Sequence, residues 1–188
     1  ECPAAARAVI ARWSGAGDAG LEAHADAVLA DAREDLDLAA APLIAAALQV
    51  YWLSMRTGMA AEDIAQAERP GACPVCASPP VAAVILGSGL RYVHCALCAA
   101  AWNYVRVKCT NCGSTQGISY HAVEGRFDAI KAETCDRCRT YLKVLNQERD
   151  ALAEPLADDL ASLTLDLLMS EAGYSRGGGN LMLFVPGG

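Results

Sequence analysis

Cys73-Pro-Val-Cys76, Cys95-Ala-Leu-Cys98, Cys109-Thr-Asn-Cys112 and Cys135-Asp-Arg-Cys138 are the stretches whose reading decides the fold. Eight of the nine cysteines fall in these four C-x-x-C pairs, a pattern that chance does not produce. A C-x-x-C turn lets two sulfurs approach one ion while the amides between them point at the thiolates. Two such turns complete a tetrahedral shell of four sulfurs. Soft thiolates select zinc or iron over magnesium or calcium, and ligand identity alone does not separate zinc from rubredoxin-type iron. A disulfide framework suits a small secreted chain, and a redox dithiol normally stands alone at a helix start, so both are less favoured. An iron–sulfur cluster is the more serious rival. Its cysteines crowd together, however, whereas these pairs are separated by 18, 10 and 22 residues.

The residues between the pairs indicate which of them share an ion. Val81 to Leu86 is an apolar run with β-branched members, Gly87-Ser88-Gly89 a turn, and Leu90 to His94 a return that leads into Cys95. Such a hairpin brings Cys95 and Cys98 back to Cys73 and Cys76. The design repeats after Cys112, with Gly117 to Val123 as a strand, Glu124-Gly125-Arg126 as a turn and Phe127 to Glu133 returning to Cys135 and Cys138. Ala101 to Lys108 reads as a strand linking the two sites. A cross-braced arrangement, with alternate pairs sharing ions, stays open because its spacing rules are loose.

Helices are expected on both flanks. Ala4 to Trp13, Leu21 to Arg33 and Leu43 to Met55 carry apolar residues at helical spacing, with Pro42 suited to a first turn and Gly58 to a stop. Tyr51, Trp52 and Met55 are expected in the core. Residues 60 to 72 hold a short helical stretch and the linker Arg69-Pro70-Gly71. Downstream, Leu152, Leu156, Leu160, Leu163 and Leu167 form an apolar stripe that Gly173 ends, leaving Asp158, Asp159 and Asp166 on a solvated acidic face or a docking surface. Tyr174 to Asn180, with Gly177-Gly178-Gly179, is expected to be flexible and lacks the lysine of a phosphate loop. The tail Leu181 to Val185 packs on the core or meets a partner. The expected fold class is α+β: an N-terminal helical region (1–72), two tandem rubredoxin-like or zinc-ribbon modules (73–108 and 109–149), and a C-terminal amphipathic helix with its tail (150–188).

Composition agrees with this. At 188 residues and 54% hydrophobic, the chain can supply a real core. Residues 1–72 carry a net −6, 73–149 a net +4 and 150–188 a net −5, within a total of −7. Eight thiolates around two divalent ions add −4, which cancels the basic centre and argues against nucleic-acid binding. No window approaches 18 uninterrupted apolar residues, and Glu1-Cys2-Pro3 does not resemble a secretory signal, so a soluble cytoplasmic chain without membrane insertion is expected. The chain starts at glutamate rather than methionine, and its first 72 residues are read as an incomplete helical region. No H-E-x-x-H, G-x-S-x-G or nucleotide fingerprint is present, and no catalytic residue is assigned. His24, His94 and His121 are scattered; His94, beside Cys95, is placed to hydrogen-bond a thiolate rather than to bind metal. Cys2 alone is left free.

The runs C-P-V-C-A-S-x-P (73–80), L-R-Y-V-H-C-A-L-C (90–98), Trp102, V-R-V-K-C-x-N-C (105–112), K-A-E-T-C (131–135), Y-L-K (141–143) and D-D-L-A-S-L-x-L-D (158–166) together resemble the formate dehydrogenase accessory protein FdhE family. The likeness covers Cys73 to about Gly188, 116 of 188 residues, and weakens earlier, where family members carry a longer helical region. The resemblance implies a cytoplasmic accessory protein that binds the formate dehydrogenase catalytic subunit before export or assembly. It also implies that such a protein holds iron or zinc through its C-x-x-C cysteines. By position these are Cys73, Cys76, Cys95, Cys98, Cys109, Cys112, Cys135 and Cys138. A redox or sulfur-handling role at the partner's molybdenum centre is the alternative.

Overall fold

The computed structural model describes residues 3–30, 32, 34, 36–60, 69–125 and 129–184. The short helical stretch expected near 61–68, Cys2, Phe127 and Val185 lie outside the described residues. The chain divides into two units, residues 1–52 with 181–188, and residues 53–180.

The first unit is helical, with α1 (Ala4–Ser14), α2 (Gly17–Leu29) and the larger part of α3 (Ala41–Thr57). Pro42 lies in the first turn of α3, where its missing amide costs nothing, and Gly58 follows its last residue. Val28, Ala41 and Ala45 form the buried centre, on which Leu36, Ile44, Leu48 and the tail residues Leu181, Met182 and Phe184 pack. The tail is thus part of this core. Asp37 ties the loop between α2 and α3 together: its carboxylate accepts from the Trp13 indole at 3.1 Å and pairs with Arg12, while its amide donates to His24 Nε2 at 3.1 Å. Tyr51 and Met55, expected in the core, are instead 57% and 52% exposed, because the buried face of α3 is made by small alanines at 41 and 45.

The second unit is built on one seven-stranded sheet in which six strands follow the order β3-β2-β1-β6-β5-β4 and a seventh pairs with β6 off that path. The two expected hairpins are present as β1 (Pro80–Ile85) with β2 (Arg91–Cys95), and β4 (Ile118–His121) with β5 (Ile130–Cys135). The expected linking strand is shorter: β3 covers only Ala101–Asn103, and a turn follows. Sequence reading missed the strand that matters most. β6 (Thr140–Asn146) pairs antiparallel with β5 and parallel with β1, and so welds the two modules into one sheet.

One face of the sheet is covered by helices α4 (Pro155–Ala161) and α5 (Leu163–Glu171). The single helix expected here is broken at Ser162, whose hydroxyl donates back to the Asp158 carbonyl at 2.6 Å. The leucine stripe is not the buried face. Leu152, Leu163 and Leu167 are exposed, and Pro155, Asp159, Ser162, Leu165 and Met169 face inward. The cause is electrostatic. Lys143, buried on β6, donates to the Asp159 carboxylate at 3.1 Å and to Asp166 at 2.7 Å. Arg176 grips Asp159 with two bonds of 3.0 Å and reaches Asp166 at 2.8 Å. Tyr141 donates to Asp166 at 2.6 Å, and Asn180 donates to Asp159 at 3.1 Å. Two cations therefore face two anions, each cation bound to both carboxylates, which is the condition for holding charge in a low-dielectric interior. Asp159 and Asp166 form neither a solvated face nor a docking surface.

Arg176 reaches this network because residues 174–180 are not the flexible segment expected. Ser175–Arg176 forms β7, which pairs in parallel with the start of β6. Gly178 then passes so close to β1 that a Cβ there would meet the Pro80 carbonyl oxygen at 2.2 Å. That contact, and not flexibility, is why glycine stands there.

On the opposite face, Ala83, Val93, Leu142 and Val144 form the core with Ile85, Trp102 and Tyr104. Here Arg91 of β2 donates to Glu133 of β5 at 2.8 Å and to the carbonyls of Val105, Arg106 and Lys108, each at 3.2 Å. Arg91 thereby fastens the connection between the modules to both of them.

Asp159→Ala leaves Lys143 and Arg176 without their main counter-charge and is expected to cost about 3–5 kcal/mol in urea unfolding, whereas Leu167→Ser stays within about 0.5 kcal/mol. The reverse ranking would restore the leucine stripe as the buried face.

Candidate metal centres

Four copies of one backbone device position the sulfurs. After the second cysteine of every pair the chain turns through the left-handed region, at Ala77 (φ 61°), Ala99 (φ 54°), Gly113 (φ 72°) and Arg139 (φ 56°). In three of the copies the amide of that residue donates to the carbonyl of the first cysteine, as Ala77 to Cys73 at 2.9 Å, Gly113 to Cys109 at 3.0 Å and Arg139 to Cys135 at 2.8 Å. Three of the four positions hold a residue with a side chain, each at roughly 1–2 kcal/mol of backbone cost, so the surroundings hold these turns against their local preference. Arg139 has a compensating role. Its guanidinium donates to the Ala172 carbonyl at 2.7 Å and lies 3.9 Å over the Tyr174 ring, joining the last turn to the end of α5.

The turns aim amides at the sulfurs. Val75 donates to Cys73 Sγ at 3.4 Å, Leu97 and Cys98 to Cys95 Sγ at 3.4 and 3.5 Å, and Asn111 to Cys109 Sγ at 3.4 Å. The hairpins then fold the pairs together. Cys73, Cys76, Cys95 and Cys98 form one cluster and Cys109, Cys112, Cys135 and Cys138 the other, with all four sulfurs of each within 4.8 Å of one another. The cross-braced grouping is therefore excluded.

The spacing also excludes disulfides, which need sulfurs about 2.05 Å apart. The closest approaches are 3.5 Å for Cys73–Cys98, 3.4 Å for Cys76–Cys95, 3.6 Å for Cys109–Cys138 and 3.7 Å for Cys112–Cys135. A tetrahedral ion with bonds of about 2.3 Å to sulfur requires edges of about 3.8 Å. The donor sets fit one four-coordinate ion each, and sulfurs this close leave no room for the bridging sulfides of a larger cluster.

Proton affinities show why a cation suits these sites. In the first cluster Cys76 is pulled far below the ordinary thiol value by hydrogen bonds from Cys73, Cys95 and Cys98. Hydrogen bonds with Cys73, Cys76 and Cys98 push Cys95 far above it. Four sulfurs in contact cannot all carry negative charge unless a cation is among them. In the second cluster burial raises Cys138, yet hydrogen bonds led by the Thr140 hydroxyl, 3.0 Å from the sulfur, bring it down to about 6.

The clusters differ in exposure. Cys73, Cys95 and Cys98 are buried and Cys76 half-buried, whereas Cys112 is exposed and Cys138 half-buried. His94, expected to donate to a thiolate, is not among the donors to the sulfurs in the described residues, and burial lowers its proton affinity. His24 belongs to the helical unit, and His121 lies 3.1 Å from the Thr134 hydroxyl. Thr140 and Ser78 were not singled out in the sequence, although Ser78 Oγ lies 3.4 Å from Cys76 Sγ. The signal was present: Ser78, Ser114 and Thr140 each stand two residues after the second cysteine of a pair.

Comparison with known proteins agrees with the geometry. Family models of the FdhE N-terminal region, the FdhE central domain and the FdhE C-terminal domain match residues 1–68, 72–106 and 107–183. The chain is 44% identical over 168 residues to the Protein FdhE homolog of Yersinia enterocolitica, covering 87% of this chain and 54% of that protein. It is 46% identical over 164 residues to the homolog of Pasteurella multocida, covering 85% and 53%. The chain thus spans about half the length of the curated relatives it matches. A crystal structure of the FdhE protein from Pseudomonas aeruginosa superposes with a TM-score of 0.91 at 39% identity, covering all of this chain and 67% of that one. With matches along nearly its whole length and a neighbour that shares its fold and its sequence, the chain belongs to the FdhE family.

Proposed function

We propose that this chain is an accessory protein required to form active formate dehydrogenase, that it binds the catalytic subunit of that enzyme in the cytoplasm, and that its eight paired cysteines hold two iron or zinc ions. The observation that carries this reading is the joint one of family and geometry: FdhE matches along the chain, and two clusters of four sulfurs spaced for one ion each. The modules 73–108 and 109–149 would take one ion apiece, and the helical region 1–72 and the C-terminal segment 150–188 would supply contact surface. The exposed leucines at 163, 167 and 168 on α5 support the latter, since an apolar helix face in water favours a protein contact. Among the described residues no helix is long and apolar enough to cross a membrane. The ions are assigned a structural role, because a four-sulfur site leaves no position open for substrate.

One observation favours a second reading. The exposed Cys112 and the lowered Cys138 leave the second cluster open to attack at sulfur, as redox or sulfur-handling chemistry at the partner's molybdenum centre would need.

Elemental analysis of protein prepared without added metal is expected to find about two equivalents of zinc or iron per chain. Cys73→Ser and Cys109→Ser should each lower that content and reduce recovery of formate dehydrogenase in pull-down; full recovery with the metal lost would count against the structural role. Of the two ions, the one bound by Cys109, Cys112, Cys135 and Cys138 is expected to leave first, about tenfold faster, when a thiol-competing chelator is added, followed by metal release in wild type against Cys112→Ser. Equal release rates would remove the support for a reactive second site.

A further inference from the structure

The sheet face opposite the helices carries a cavity of about 280 Å³ that neither metal cluster touches. Its floor is apolar, from Ile85 of β1, Val144 of β6, Ala129 and Val107. Its walls are Arg106 from the connection between the modules, Lys131 of β5 and Arg149 beyond β6, with Tyr120 of β4 and Asn146 completing the rim. Among the described residues no carboxylate lines it, although the chain as a whole is acidic.

These three cations contrast with those held in the charge networks. Arg91, Lys143 and Arg176 are each committed to Glu133, Asp159 or Asp166. Among the described residues Arg106, Lys131 and Arg149 form no ion pair. Three cationic groups from three separate stretches of chain repel one another, and a shared anion relieves that repulsion. The cavity is also partly preformed. Tyr120 is fixed by donating to Glu133 at 2.6 Å, and the backbone of Arg106 is fixed because its carbonyl accepts from Arg91 at 3.2 Å.

We propose that this cavity binds a small organic phosphate monoester, its phosphoryl oxygens held by Arg106, Lys131 and Arg149 and its apolar body resting on Ile85, Val107 and Val144. A phosphate monoester offers three acceptor oxygens and close to two negative charges, which suits three donors placed around one space. The volume lies just below the usual range of about 300–1,000 Å³ for small-molecule sites, so the body is no larger than one or two rings. The apolar floor distinguishes this site from a patch that merely attracts anions, because it adds affinity for the ester body that free phosphate cannot use.

Titration of the full chain with phenyl phosphate, followed by calorimetry, tests the assignment. Phenyl phosphate is expected to bind about tenfold or more tighter than inorganic phosphate or phenol, since each of those lacks one half of the recognition. Arg106→Ala and Lys131→Ala should each weaken it about fivefold or more, and Arg7→Ala in the helical unit should leave it unchanged. Because Arg106 and Lys131 are exposed, retention of the wild-type melting midpoint and metal content checks that the variants fold. Equal binding of phenyl phosphate and inorganic phosphate, insensitivity to Arg106→Ala and Lys131→Ala, or no saturable binding up to about 10 mM would each overturn the proposal. A phosphotyrosine peptide binding more tightly than phenyl phosphate would identify a modified protein as the source of the phosphoryl group, and weaker binding would identify a free small molecule. Both results uphold the recognition chemistry.

Discussion

Holding four sulfurs within 4.8 Å of one another, twice over, is the constraint on which the second unit rests. Like groups at that distance repel as soon as they ionise, so the backbone must fix them and a cation suits the space among them. The four left-handed turns after Cys76, Cys98, Cys112 and Cys138 do the fixing, and the hairpins close each cluster by returning a strand to its start.

A second requirement joins the halves. Two hairpins side by side would expose inner strand edges, and β6 satisfies both by pairing with β5 on one side and β1 on the other. Placing β6 at the centre buries Lys143, and a buried ammonium must be neutralised. Asp159, Asp166 and Arg176 meet that demand, so the orientation of α4 and α5 is set by charge and their leucines are left facing outward. Arg91 and Glu133 play the corresponding part on the other face. Such networks gain less from attraction than they lose when one member is removed, which makes them devices of register more than reserves of stability.

The two four-cysteine clusters are alike in backbone and unlike in exposure. The first sits where β1 and β2 meet the body of the sheet, and three of its cysteines are buried. The second lies at the end of β5, where Cys112 meets solvent and Arg139, Tyr174 and Asp136 form its surroundings. Duplicated turns therefore give one closed centre and one accessible one.

Local patterns carried much of this in the sequence. The C-x-x-C spacing, the glycine turns at 87–89 and 124–125 and the return strands ending in Cys95 and Cys135 specified the two hairpins and the grouping of the sulfurs, because each depends on residues close in the chain. The N-terminal helices and the stops at Gly58 and Gly173 were legible for the same reason. The central position of β6, the inward turn of Asp159 and Asp166, the ordering of residues 174–180 and the exposure of Tyr51 and Met55 were not. Each depends on what lies opposite in space: a lysine buried by the pairing of strands whose partners, such as Ala82 and Lys143, are 61 residues apart, a proline carbonyl against Gly178, small alanines filling a helix face. Leucine spacing marks a possible apolar face, but a buried cation elsewhere in the fold decides which face turns inward, and only the tertiary structure brings that cation into place.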